Sequence, residues 1–403
     1  MSGTTADPRL TDARLPPRKR MRLSWADPRF RGLVWQVLIV GLVILVIWYL
    51  VSNTNANLAA RHIATGFGFL SRVAGVPIAD SPIPYNPAES TYGRALLIGV
   101  LNTLKVAVSG IILATLLGTL IGIGRLSSNW LVAKLAAIYV EVIRDIPVLL
   151  QLLFWYTLLQ GLPGPRQAIA IGNWAFLSNR GIKVAVIDWQ PGQGWSLLAL
   201  VAGIALAFGY ARYSRRRQER TGQKPRVWPV AIALMVLPPA AVWTLAGGSL
   251  VIDKPVLRGF NFTGGTTISP EFVALLLGLV VYTAAYIAEI VRSGIEAVPQ
   301  GQWEAGRALG LHSGVLLRKI VLPQALRVVV PPMTSQYLNL TKNSSLAVAI
   351  GFQDIVSVAN TVLNQTGQAI EGIAMIMAVY LTISLSISLF MNWYNARIAL
   401  VER

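Results

Sequence analysis

The chain has no cysteine in 403 residues, which excludes disulfides and thiolate metal sites outright. Histidine is almost as scarce, since His62 and His312 are the only two, too few for a histidine-based metal centre. Charge is thin at 13% of residues and one-sided, with 35 Lys and Arg against 17 Asp and Glu. No GxxxxGK[ST] run occurs, so the chain holds no nucleotide by a P-loop of its own. No fixed-period repeat is visible either. What fills the chain is apolar: 54% of residues are hydrophobic, and the mean hydropathy is +0.57.

Several of the apolar runs approach or exceed the roughly 18–20 residues that a helix needs to cross a hydrocarbon core. The predicted fold is all-α and polytopic, with about eight transmembrane helices; the short alternating segments of a membrane barrel are missing. A net charge of +18 would suggest a nucleic-acid partner in a soluble chain. Here the basic residues gather in loops that one face of a membrane can hold, so they point to membrane lipid and to no nucleic acid.

Residues 1–31 read as a basic cytoplasmic tail carrying Arg18, Lys19, Arg20 and Arg22. Residues 32–51 form a first span, longer than the apolar core of a cleavable signal peptide, and 52–92 form a proline-bearing external loop. A second span runs over about 95–123 and a third over about 131–159, joined by a tight turn at 127–129. Residues 161–270 change in texture: loops rich in Gly, Pro and Trp enclose two further spans, at about 196–210 and 228–246. Between these two lies the strongest basic block, Arg212 to Arg226, which reads as a topology determinant against anionic headgroups. A sixth span at 272–290, a seventh at 331–350, an outside segment at 353–370 and an eighth span at 372–393 complete the chain. The tail 396–403 then ends inside, and with an inside amino terminus every major basic block falls on the cytoplasmic face.

One polar stretch lies between spans on that face: Glu304 to Pro323, EAGRALGLHSGVLLRKIVLP. It holds Glu304-Ala305-Gly306, three residues, Gly310, nine residues, and Ile320-Val321-Leu322-Pro323. Small residues at 305, 306, 308 and 310 permit close approach of a partner, and Gly310 permits a sharp turn between two short helices. The seventh span is the other unusual stretch, PPMTSQYLNLTKNSSLAVAI, about half polar. Ser335, Asn339, Lys342 and Asn343 share one helical face, with Ser344 beside them. Counted from Pro331, Lys342 falls roughly 16 Å into the helix, near mid-membrane. Against lipid it would cost about 2.5–3.5 kcal/mol or more. The stripe therefore lines a path or joins a network between helices. Arg144, Asp145 and Gln151 either orient a zwitterionic substrate or anchor a helix end, and Asn102 and Thr103 are weaker candidates. Glu289 and Arg292, three apart, are expected to form a local ion pair.

The 304–323 spacing resembles the EAA loop of the permease subunits of bacterial ABC importers, E-A-A-x3-G-x9-I-x-L-P. The only departure is Gly306 at the third position. Tyr282 to Ile295 and Val142 to Gln151 resemble the polar-amino-acid permeases, the histidine/glutamine-type family. The first span, the 52–92 loop and the 161–270 insertion are similar to the Q-type permeases of general L-amino-acid (Aap/Bzt-type) transporters. The resemblance implies a five-helix type I importer core, its first part over 93–160 and its second over 271–395. It implies that Glu304, Ala305, Gly306, Gly310, Ile320, Leu322 and Pro323 dock on an ATPase. The chain itself would be non-catalytic and bind no cofactor or metal, with ATP and Mg2+ on two ATP-binding subunits. A second, M-type permease and a periplasmic amino-acid-binding protein would complete an inner-membrane importer of broad amino-acid range. The competing reading is a secondary amino-acid transporter or channel without an ATPase. The insertion either meets the binding protein or packs the periphery.

Overall fold

The computed structural model describes residues 25, 28–60, 65–172, 174–188, 192–222, 226–247 and 251–398. The basic residues at 18–22, His62, Lys224 and the last five residues lie outside them. Contacts divide the chain into a first unit ending at Gly66 and a second starting at Phe67. In the first unit α1 (Pro28–Ala60) is a single apolar helix, and its large hydrophobic side chains from Trp35 to Val51 are exposed, as a lipid-facing span requires.

The second unit is built on α2 (Tyr92–Arg125) and α7 (Pro270–Glu296). Their contact is close because α2 presents Gly118 and Gly122, one turn apart, to α7. A Cβ at Gly118 would lie 2.7 Å from Ile287, and one at Gly122 would lie 2.7 Å from the Ala288 carbonyl. Around this pair pack α3 (Trp130–Asp145), α4 (Val148–Gln160), α10 (Leu322–Asn343), α11 (Ile355–Thr366) and α12 (Ala369–Ile398). One core is lined by Val106, Leu152, Leu275, Leu279, Ile287 and Leu340. A second, around Phe69, Tyr92, Ile355 and Val358, ties the 67–92 segment to α2 and α11.

Among the described residues six helices are long and apolar enough to cross a membrane, and a bent pair ending in α11 makes up to seven. The predicted third span is broken. Pro147 supplies no N–H and holds Ile146 extended (φ −94°, ψ 126°), so α3 stops at Asp145 and α4 restarts at Val148. The predicted seventh span starts earlier, at Leu322, with Pro331 and Pro332 inside the helix. After Asn343 it tightens to a 3-10 turn over 344–350, and Gly351 (φ +80°) turns the chain by 52° into α11. The segment predicted simply as outside, 353–370, thus contains a packed helix burying Ile355, Val358, Ala359 and Val362.

The insertion holds α5 (Trp195–Thr221) and α6 (Val227–Leu245), which pack mainly on each other. Helix α5 continues through Arg212–Arg217, beyond the predicted 196–210. Apart from a short 3-10 turn at Pro165–Gln167, the described residues of the flanking loops are not helical. They form a four-stranded antiparallel sheet of β1 (Ile169–Ile171), β2 (Ala175–Ser178), β3 (Gly181–Val184) and β8 (Thr266–Ile268), in that order. Two strand pairs accompany it: β4 (Val186–Asp188) with β5 (Val251–Asp253), and β6 (Val256–Arg258) with β7 (Asn261–Thr263).

Candidate functional site

Beyond α7 the chain folds into the compact loop around Glu304–Pro323. Helix α8 (Gln300–Ala308) ends in a reversal at Gly310, whose φ is +70°. The N–H of Leu311 donates to the Gly306 carbonyl (3.1 Å), and that of Gly310 to the Arg307 carbonyl (2.9 Å). These are the two bonds of a Schellman stop, and the left-handed residue it needs is the glycine. His312 then caps α9 (Ser313–Leu316), its Nδ1 accepting from the Gly314 N–H at 3.2 Å. A π turn, Leu317–Val321, leads directly into α10 with Pro323 in its first turn.

The loop has its own small core of Val298, Leu316, Val321 and Ala325, flanked by Trp303, Leu311 and Ile320. Gly306 faces that core: a Cβ there would overlap Cδ1 of Leu316, which is itself buried. The glycine where the family pattern has alanine is thus matched to the leucine ten positions on. The outer face of α8 carries Glu304, Ala305, Arg307, Ala308 and Leu309, all exposed, Leu309 at 77%. Glu304 accepts from Gln300 Nε2, at 2.9 Å. Leu322 is exposed and Pro323 half-buried.

In the last turns of α7, Glu289 pairs with Arg292 at 2.6 Å and Arg292 with Glu296. Glu289 also pairs with Arg125 at the end of α2. The sequence reading found the local partner and missed Arg125, 164 residues away. This cluster fastens the ends of α2 and α7 where the loop begins.

On α10, Ser335, Asn339 and Lys342 are exposed along one face and Asn343 is half-buried. Because α10 starts at Leu322, Lys342 lies in its final turn, roughly 30 Å along the helix. A cation there suits the carbonyl end of the helix. Ser344 is buried, its Oγ bonded to the Thr341 carbonyl (2.7 Å) and near the Tyr380 hydroxyl (3.4 Å). Gln151 is also buried, and its Nε2 donates to the carbonyls of Ile143 (2.9 Å) and Ile146 (3.0 Å). It closes the helix break at Pro147 in place of the missing backbone bonds. Arg144 lies with Glu141, Asp145 and Tyr286 around a shallow pocket of about 290 Å³, its guanidinium 5.0 Å from the tyrosine ring. Among the described residues no hydrogen bond or ion pair joins Arg144 or Gln151 to the α10 stripe.

Asn102 and Thr103 are fully buried stitches. Asn102 Nδ2 donates to the carbonyls of Asp80 and Gln353 (2.8 and 2.9 Å), and Thr103 Oγ1 accepts from the Ile355 N–H (3.1 Å). A residue the sequence reading passed over is Lys105, the only charge inside the long apolar run of α2. It is exposed, with Nζ 4.1 Å from the Phe272 ring centroid. Its isolation in that run was the available signal.

Residues 226–400 match the family described as "Binding-protein-dependent transport system inner membrane component". Over nearly its full length the chain is similar to the putative amino-acid ABC transporter permease protein YhdX of Escherichia coli K12. The two are 53% identical over 94% of this chain and 97% of that one. It is 50% identical to the general L-amino acid transport system permease protein AapQ of Rhizobium johnstonii, over 95% and 96% of the two chains. It is 42% identical to the glutamate/glutamine/aspartate/asparagine transport system permease protein BztB of Rhodobacter capsulatus, over 96% and 99%. Coverage this complete takes in the 161–270 insertion as well as the helical core.

Proposed function

We propose a transport role that proceeds from one premise: this chain belongs to the permease subunits of amino-acid ABC transporters. It is the non-catalytic membrane component of an importer that moves L-amino acids from periplasm to cytoplasm across the bacterial inner membrane. ATP and Mg2+ are bound and hydrolysed by two partner ATP-binding subunits. A second, M-type permease shares the path, and a periplasmic amino-acid-binding protein delivers the cargo. Both termini lie in the cytoplasm, as the placement of the basic blocks favours.

The observation that carries this reading is the shape of the 304–323 loop. A small packed core and a glycine stop hold α8 outward, with a bare face of Glu304, Ala305, Ala308 and Leu309. An exposed leucine beside alanines on a rigid helix suits a groove in a partner. The polar face of Ser335, Asn339 and Lys342 is left exposed among the described residues, which supports a wet path shared with the second permease. Breadth of cargo is supported by the names of two relatives, one a general L-amino-acid system and the other serving four acidic and amide amino acids.

Reconstitution of the whole transporter in proteoliposomes tests the assignment. Glu304→Lys is expected to abolish ATP-dependent uptake in correctly inserted protein, and Lys342→Ala to change its affinity or rate. Uptake equal to wild type in Glu304→Lys refutes the coupling role, and in Lys342→Ala it removes that residue from the path.

A further inference from the structure

The two loops flanking α5 and α6 are knitted together at the opposite end of α7 from the coupling loop. Strand β3 pairs with β8 (Ile182↔Ile268) and β4 with β5 (Val186↔Asp253). Strand β8 ends at Ile268, Ser269 caps α7, and α7 begins at Pro270, so the sheet joins the core without a linker.

Beside this sheet lies an open cleft of about 320 Å³ bounded by Gly164, Pro165, Arg166, Gln167, Arg180 and Phe260. The Arg166 guanidinium stacks 3.5 Å from the Phe260 ring centroid, and its Nε donates to the Gly259 carbonyl at 3.4 Å. Phe260 is nevertheless 71% exposed. Arg180 lines the same cleft, no carboxylate does, and among the described residues neither arginine has an ion-pair partner. A second cation on an exposed ring lies in the same module, Lys254 at 4.7 Å from Trp174. Asp253, one of the module's few acids, accepts from the Gly265 N–H at 2.7 Å, which leaves its charge engaged within the fold.

Stacking on Phe260 holds the Arg166 fork in place for a planar anionic partner. Exposed aromatics with arginine are the composition of protein contact surfaces rather than of a solvated rim. The cleft is too open to enclose a small molecule. Two exposed guanidiniums in water bind a carboxylate weakly one at a time, which fits a contact that must form and release on every cycle.

We infer that the Arg166–Phe260–Arg180 cleft is the docking point for an acidic face of the soluble amino-acid-binding protein. This rests on the transport role proposed above, and it places the contact on the insertion. Because β8 runs straight into α7, a load on the sheet reaches the helix that carries the coupling loop at its other end.

The test uses the complete transporter in phosphatidylcholine nanodiscs, with ATPase rate followed as its purified binding protein is titrated. Arg166→Glu/Arg180→Glu is expected to raise the half-saturating concentration roughly tenfold and to leave the rate at saturation unchanged. That unchanged rate also reports that the variant is folded. Added salt should weaken wild type toward the variant, and Arg166→Lys/Arg180→Lys should keep the salt dependence while binding more weakly than wild type, because an ammonium cannot replace the stacked fork. Half-saturation unaltered by the charge reversal overturns the inference while leaving the transport role standing. A shift that appears only when phosphatidylglycerol replaces part of the lipid assigns the cleft to headgroups and overturns it as well. A wild-type transporter that ignores the binding protein refutes both.

Discussion

Gly310 offers a way to separate the shape of the coupling loop from its contact with a partner. Its φ of +70° lies in the left-handed region, and no atom lies within 4 Å of where a Cβ would stand. The cost of substitution is therefore backbone strain alone. For alanine it is about 1–2 kcal/mol, enough to shift the balance between formed and unformed turn by about 5- to 30-fold. Asparagine and aspartate tolerate this conformation better, so their strain is smaller and nearly equal. Aspartate alone adds a negative charge to the exposed reversal, beside Leu309. If the loop acts only through its own shape, uptake should fall in the order Asn, Asp, then Ala. If the reversal sits against a partner subunit, Gly310→Asp becomes the worst of the three although it is less strained than Gly310→Ala. ATP-dependent uptake in proteoliposomes reads the order, and cross-linking from α8 to the ATPase reports whether docking is what fails. Equal uptake for Gly310→Asn and Gly310→Asp, with Gly310→Ala below both, would refute the docked reading of the turn.

Two further perturbations address packing. A Cβ at Gly122 would lie 2.7 Å from the backbone carbonyl of Ala288, so Gly122→Ala should force α2 and α7 apart at a cost of about 1–3 kcal/mol. It should lower the melting temperature in detergent, while Gly209→Ala on α5, with open space around it, should hold or raise it. In the loop, Gly306→Ala drives a methyl into Leu316 and should loosen α8, seen as faster hydrogen exchange at 300–316. Gly306→Ala/Leu316→Val should restore protection by returning the volume, and no restoration would show that the pair is not matched.

What could be read from the sequence was carried by residue type at fixed local spacing. The coupling loop is such a case, because a glycine stop, short helices and a proline exit are all specified within twenty residues. The polar face of α10 is another, since Ser335, Asn339 and Lys342 meet on one side by helical period alone. The helix ends were harder. Pro147 was visible in the sequence, yet the apolar run on both sides hid the break that Gln151 then closes. The opposite held at Pro331, where two prolines suggested a start and the helix passes through them. The β strands were not legible. Each is three or four residues long, and β3 and β8 pair across a gap that contains two membrane helices, so neither periodicity nor local turns announce them. The Arg125–Glu289 pair is hidden for the same reason: nothing local to either residue selects the other.

These contacts converge on α7 as the element that joins the two ends of the chain's core. It meets α2 through Gly118 and Gly122, α4 through Gly278 against Leu152, and α10 through Gly294 against Val329. At all three seams backbone lies close to side chain, with no spare volume for a rotamer change to absorb a displacement. Under the proposed transport role, a shift imposed at the 304–323 loop would be passed along α7 as a movement of the whole helix. It is stiffened at one end by the Arg125–Glu289–Arg292 cluster and anchored at the other to β8. The bends that could yield lie elsewhere, at the Pro147 break and at Gly351. Both flank the helices that carry the candidate path, α4 and α10. The close seams make α2, α4, α7 and α10 one packed body, and the Pro147 break and Gly351 are the places where its helices change direction.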